Sequence, residues 1–276
     1  MKKTAQIITA CFIFLFLGLN IVKSQDFTFE KAYKDYTFTY DQYSQSVADY
    51  ERAKEFYLKN QTLTLKEEAR KKTLVMLKNR DELEKVYLTA LRLKIVEVKG
   101  LTPGEKSVIF KKIDDEVEWY KTHKESYKDS DPLEDLFNKS KESESRYETH
   151  TTPTVYDTLF NITLGENIGS RLDHEEIYAS IKKEIDDSVS KGQVKIDPFN
   201  RWFTDIEDVV RKLKINEEAG KKEIGKIYTE NYTDPESTFT EAVAFFTDSN
   251  GLLLQLNGFL NELLTSFNSQ LQITQK

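Results

Sequence analysis

The apolar and polar positions of this chain alternate with a helical period almost throughout, and most regularly between residues 29 and 57. Phe29, Tyr36, Tyr43, Tyr50 and Tyr57 recur every seven residues, and Tyr33, Tyr40 and Val47 fall four after the first three. That 4-3 spacing draws an aromatic stripe along one face of an α-helix, as the a and d positions of a coiled coil do. A β reading exists too, because Tyr36, Phe38 and Tyr40 alternate with Thr37 and Thr39. It spans only about five residues, whereas the heptad persists through roughly four repeats. The predicted helix runs from about Asp26 to Asn60, and its stripe requires a second helix to cover it.

A turn at Gln61 to Leu63 precedes a second periodic segment, opened by Thr64 and Glu67 as a capping box and ending near Gly100. It carries Leu74, Leu77, Leu88, Leu91, Ile95 and Val98 on one face. Two helices of this length joined by so short a loop predict an antiparallel hairpin. Thr102-Pro103-Gly104-Glu105 opens a third helix, and Asp131-Pro132 a fourth. The fourth continues into the polar run Lys139 to Arg146, read as a solvated projection or joint. Thr149 to Pro153 follows as a domain boundary, then a less regular stretch from Val155 to Ile168 interrupted by Gly165 and Gly169. Helical periodicity returns from Leu172 to Val189, stopping at Gly192, and again after Asp197-Pro198.

The last helix, capped by Thr233 to Glu236, differs in composition. From Ala242 to Gln275 its only charges are Asp248 and Glu262. Phe246, Leu253, Leu256, Leu260, Leu263 and Phe267 form a stripe that Phe245, Leu252, Phe259 and Leu264 widen beyond what one neighbour covers. The expectation is an intramolecular core for Leu253, Leu256, Leu260 and Leu263. Phe245, Leu252 and Phe259 are the candidate binding residues, directed at a partner or a membrane. The fold class that follows is all-α, an elongated antiparallel helical hairpin and bundle with coiled-coil-like packing. Its units are residues 25–150, a long hairpin unit, and 151–276, a C-terminal bundle.

The N-terminus changes the picture of compartment. Lys2 and Lys3 precede an apolar run from Ile7 to Val22, and Val22-Lys23-Ser24 offers a cleavage site. Residues 1–24 are therefore read as a signal peptide or an uncleaved anchor, which places the rest of the chain outside the cytoplasm. Removing them deletes the single cysteine and leaves 37 basic against 47 acidic residues, a net of -10. Without thiols, disulfides and thiolate metal sites are excluded from the mature chain. An acidic body also argues against nucleic acid as a partner.

Candidate chemistry is sparse. His123, His150 and His174 are far apart in sequence and none sits in a helical metal motif, so no metal or cofactor is expected. His174-Glu175-Glu176 reads as a solvated helix start. Glu236-Ser237-Thr238-Phe239, with Gly251-Leu-Leu-Leu-Gln255-Leu256 further on, resembles the signature of lytic transglycosylases, with one residue too many in its second half. That resemblance implies Glu236 as general acid on a glycan. The leading expectation is an exported, non-enzymatic structural or interaction protein of the cell envelope or extracellular space, its partner an unknown protein or envelope component or a second copy in a homo-oligomer. The alternatives are a peptidoglycan lytic enzyme using Glu236 and a membrane-active protein using the C-terminal helix.

Overall fold

The computed structural model describes residues 28–229 and 234–274; the expected signal peptide lies outside them. Helix α1 spans Phe29–Asn60 and α2 spans Leu63–Glu97. Gln61 ends α1 in the left-handed region at φ 44°, and the Thr62 hydroxyl accepts from the Leu65 amide 3.3 Å away. Thr62, not Thr64, is therefore the cap of α2, and the two-residue link makes the pair antiparallel.

The seam of this hairpin also differs from expectation. The buried positions of α1 after Phe29 are Ala32, Thr39, Ser46 and Ala53, themselves seven residues apart, whereas Tyr33, Tyr36, Tyr40, Tyr43, Tyr50 and Tyr57 are half-buried to either side. Small side chains let the two helices approach, and the flanking tyrosines keep their rings on apolar surface while the hydroxyls reach the edge. The two buried hydroxyls of the seam are satisfied within α1, Thr39 donating to the Asp35 carbonyl and Ser46 to that of Tyr43.

Helix α3, Pro103–Ser126, begins with the expected capping box, in which Thr102 and Glu105 bond reciprocally. Helix α4, Leu133–Arg146, runs through a π-helical segment, Tyr147–Thr151, directly into α5, Thr152–Ser190. The polar run at the end of α4 is thus no solvated projection. Ser143 is buried there, Lys139 donates to Asp131 and the Ser126 carbonyl, and Arg146 is paired with Glu116. The residues of the expected boundary are helical, with Pro153 in the first turn of α5.

The stretch expected to be irregular, Val155 to Ile168, is the most deeply buried part of α5. Its glycines form a notch rather than a break. A Cβ on Gly100 would stand 2.1 Å from the Gly165 carbonyl oxygen, and one on Gly165 would stand 2.2 Å from Val98 Cγ1. The α2–α3 corner therefore seats directly on the backbone of α5. Gly192, at φ 69°, stops α5 where its period predicted.

Residues 197–199 form a 3-10 turn leading into α6, Asn200–Ile224. A second 3-10 turn, Gly225–Tyr228, follows, and α7 spans Pro235–Thr274. Asp234 accepts from the amides of Glu236 and Ser237 and caps α7. Helix α5, about 58 Å long at 1.5 Å per residue, links two cores. Its first half packs with α2 and α3 through Leu88, Leu91, Ile113, Leu159 and Ile162. Its second half packs with α6 and α7 through Ile181, Ile185, Phe199, Ile206, Leu256, Leu260 and Leu263. Between them Phe160, Leu164, Ile224 and Phe246 fill the middle. Leu256, Leu260 and Leu263 thus lie in an intramolecular core, and Leu253 is half-buried against it.

Candidate functional site

Two places gather chemistry. The first is a buried polar seam centred on α2, where Arg80, Asp81 and Glu84 occupy successive inward positions. Asp81 is wholly buried, and its two oxygens are bound separately: Oδ2 accepts from His123 Nδ1 at 2.6 Å and Oδ1 from Ser143 Oγ at 3.2 Å. His123 is clamped between rings, stacked on Trp119 at 4.6 Å and edge-on to Tyr127 at 5.1 Å. Arg80 reaches Ser140 through Nη1. Two turns back along α3 from His123, Glu116 receives Arg146 Nε at 3.1 Å and the Thr151 hydroxyl at 2.8 Å, and Thr151 in turn meets Tyr120 at 3.0 Å. Thr151 and Tyr147 are the end residues of the π-helical segment, whose widened turn carries both groups into the seam.

Glu84 completes the seam on the tyrosine side. Its carboxyl is raised to about 7, first by burial and then by Asp81, against the opposing pull of Arg80. Burial, with the charge of Glu84 beside them, also raises Tyr36, Tyr43, Tyr120 and Tyr147 above the ordinary phenol range.

A serine, a histidine and an aspartate in contact invite comparison with a nucleophilic triad, but the order is wrong. Ser143 donates to the carboxylate, not to the imidazole, so no hydroxyl is activated by His123. His123 Nε2 is buried without a hydrogen-bond partner. The seam is a cross-brace: it fixes α4 against α2 and α3 through groups that would each be expensive to bury unpaired.

The second place is an open groove of about 720 Å³ between α5 and α6. Tyr178, Ile206, Val210 and Ile215 line it, with Glu175, Glu207, Arg211, Lys214 and Glu218 around the rim. Arg171 closes it at one end, donating to Glu217 through Nε at 2.7 Å and Nη2 at 3.0 Å and to Glu175 through Nη1 at 2.7 Å. His174 and Glu175 belong to the interior of α5, not to a helix start. His174 contacts the Ser170 carbonyl, while Glu175, which burial alone would push up, is held below the usual carboxylate range by Arg171 and Lys214.

The residues singled out from sequence fall elsewhere. Leu252 and Phe259 are half-buried against the C-terminal core, while Phe245 is 36% exposed on α7. Leu254, at 75%, and Leu264, at 39%, are more exposed than any of the three. Glu236 is exposed in the first turn of α7, and Gln255 lies on the same unbroken helix, about 28 Å further along. The two halves of the transglycosylase-like pattern therefore do not converge. Among the described residues no group of three or more His, Cys, Asp or Glu could hold a metal ion, and no helix is long and apolar enough to cross a membrane. Sequence reasoning missed the seam because Asp81, His123 and Ser143 come from three helices. It missed the groove because its lining comes from two helices. No protein-family model, curated protein or solved structure matches this chain.

Proposed function

We propose that this is an exported, non-enzymatic interaction protein of the cell envelope or extracellular space, and that it holds a protein partner in the groove between α5 and α6. The groove carries the proposal. It is an apolar floor with a charged rim, the arrangement that seats an amphipathic helix in recognised helix-in-groove complexes. The titratable clusters elsewhere support the same reading, because their groups bind one another across helices. In this view the α1–α2 pair is a coiled-coil-like hairpin with Ala32, Thr39, Ser46 and Ala53 at its seam. The hairpin and the polar seam together serve as a stiff scaffold. Phe245, exposed on α7, is a second contact point for the same class of partner.

Two measurements test this. Ile215, 55% exposed in the groove, should tolerate Ile215→Asp without loss of helicity while partner binding falls at least tenfold. Purified protein should release no soluble muropeptides from peptidoglycan. Release that vanishes in Glu236→Gln would replace the interaction reading with a lytic one.

A further inference from the structure

The distal end of the α1–α2 hairpin is unlike the rest of the molecule in both charge and polarity. From Phe56 to Lys66 there is no acid, and Lys59 and Lys66 are the only charges. Across residues 52–72 seven Lys and Arg face three acids, a net of +4 in a chain whose total is -7, which leaves -11 on the remainder. Glu55 is paired with Lys59 and Glu67 with Arg70, so of the three acids Glu68 alone stands without an ion pair among the described residues. Lys66 likewise forms no ion pair there and is free to meet an external anion.

The same end exposes large apolar side chains. Phe56 is 49% exposed, Leu58 59% and Leu63 83%. The last tertiary ties on this side are the bonds from Arg70 to the carbonyls of Asp129 and Asp131, so Leu63 projects about 10 Å beyond them. Past that level the side-chain bonds of the tip are local, Lys59 to Glu55 and Asn60 to the Phe56 carbonyl.

We propose that this hairpin tip docks into an anionic lipid surface. Phe56 and Leu58 lie two residues apart on α1 and therefore point about 200° apart around it, with Leu63 beyond the turn. A single helix or sheet face of a protein can cover only one of those directions. The fluid boundary of a bilayer takes up all of them, and an apolar tip of this reach matches the depth at which interfacial elements sit. The cationic flanks then face lipid phosphates, while the negative remainder is held off the surface, which sets the hairpin end-on to it. This surface is separate from the α5–α6 groove, so either proposal can fail alone.

The test uses the chain from Gln25 onward, which contains the whole described fold, with vesicles of phosphatidylcholine alone or with phosphatidylglycerol. Flotation should recover protein with anionic vesicles, at least tenfold less with neutral ones, and less again in high salt. Leu58→Ser/Leu63→Ser and Lys59→Glu/Lys66→Glu should each reduce binding at least tenfold at unchanged helicity. Leu254→Ser, an equally exposed site on α7, should not. A Leu63→Trp variant should show a blue-shifted, bromolipid-quenched emission component that wild type lacks. Absence of flotation, binding indifferent to lipid charge, or binding retained by both tip variants would each overturn the proposal. So would tip variants that lose a protein partner while wild type ignores vesicles.

Discussion

The pair Arg171 and Glu217 ties α5 to α6 at the end of the groove, and its removal has a calculable consequence. Their side chains are 8% and 7% exposed, and the guanidinium meets the carboxylate through two parallel bonds of 2.7 and 3.0 Å. Arg171→Met preserves most of the buried stem but strands the Glu217 carboxylate away from water. Breaking one side of a buried pair costs about 3–5 kcal/mol. Glu175 softens this little, since it keeps Lys214 at 3.1 Å. Glu217→Leu leaves Arg171 one remaining partner, Glu175, and should cost less, about 2–3 kcal/mol. The double variant replaces two charges with apolar groups of similar size and should lie within about 1.5 kcal/mol of wild type. A coupling of at least about 3 kcal/mol follows. Denaturant unfolding read by circular dichroism, with hydrogen exchange of residues 200–224 as the local readout, measures it. Additive effects of the two substitutions, or a loss under about 1 kcal/mol for Arg171→Met, would refute the account of this brace.

Other outcomes follow from the seam and the helix crossings. Glu84 titrates near 7 in the fold and near 4.5 when unfolded, so the fold favours its protonated form. Its contribution is full below about pH 4.5 and is lost as pH rises to about 7, a decline of about 3 kcal/mol. Glu84→Gln should flatten that slope in denaturant titrations run across this window; an unchanged slope would assign it to another group. Gly100→Ala should destabilise by at least about 2 kcal/mol, because its Cβ would meet the Gly165 carbonyl oxygen at 2.1 Å; an unchanged melting temperature would contradict the close approach. Leu260→Ala, at a site 3% exposed, should cost about 2–5 kcal/mol and selectively increase exchange in α6 and α7.

The helices themselves were legible where one segment carried its own signal. Period and caps located the starts of α1, α2, α3, α6 and α7 to within a few residues, and Gly192 marked the end of α5, whereas the period after Asp197-Pro198 ran on toward Tyr232 and α6 stops at Ile224. Errors arose where a residue's meaning depended on another helix. Gly165 and Gly169 read as breakers because glycine weakens a helix alone, but here they admit the backbone of Gly100. Lys139 to Arg146 read as solvated because its polar partners, Glu116, Asp131 and Asp81, lie on α3, the following loop and α2. The tyrosines read as the seam because they are large, whereas the buried positions belong to the small residues between them. The groove had no sequence signal at all: Ile206 is wholly buried beneath it and Val210 fits the same core period, so neither marks a surface.

The central claim is that the α5–α6 groove is occupied by a partner in the compartment where the protein works. Its most direct test is a photoreactive benzoylphenylalanine in place of Arg211, an exposed residue on the groove rim, introduced into the full chain in the cell that makes it. Illumination should give one discrete adduct in the exported fraction, lost in the Ile215→Asp background and absent when the probe replaces Asp248 on α7. No adduct from Arg211, or the same adduct in the Ile215→Asp background, would contradict the claim.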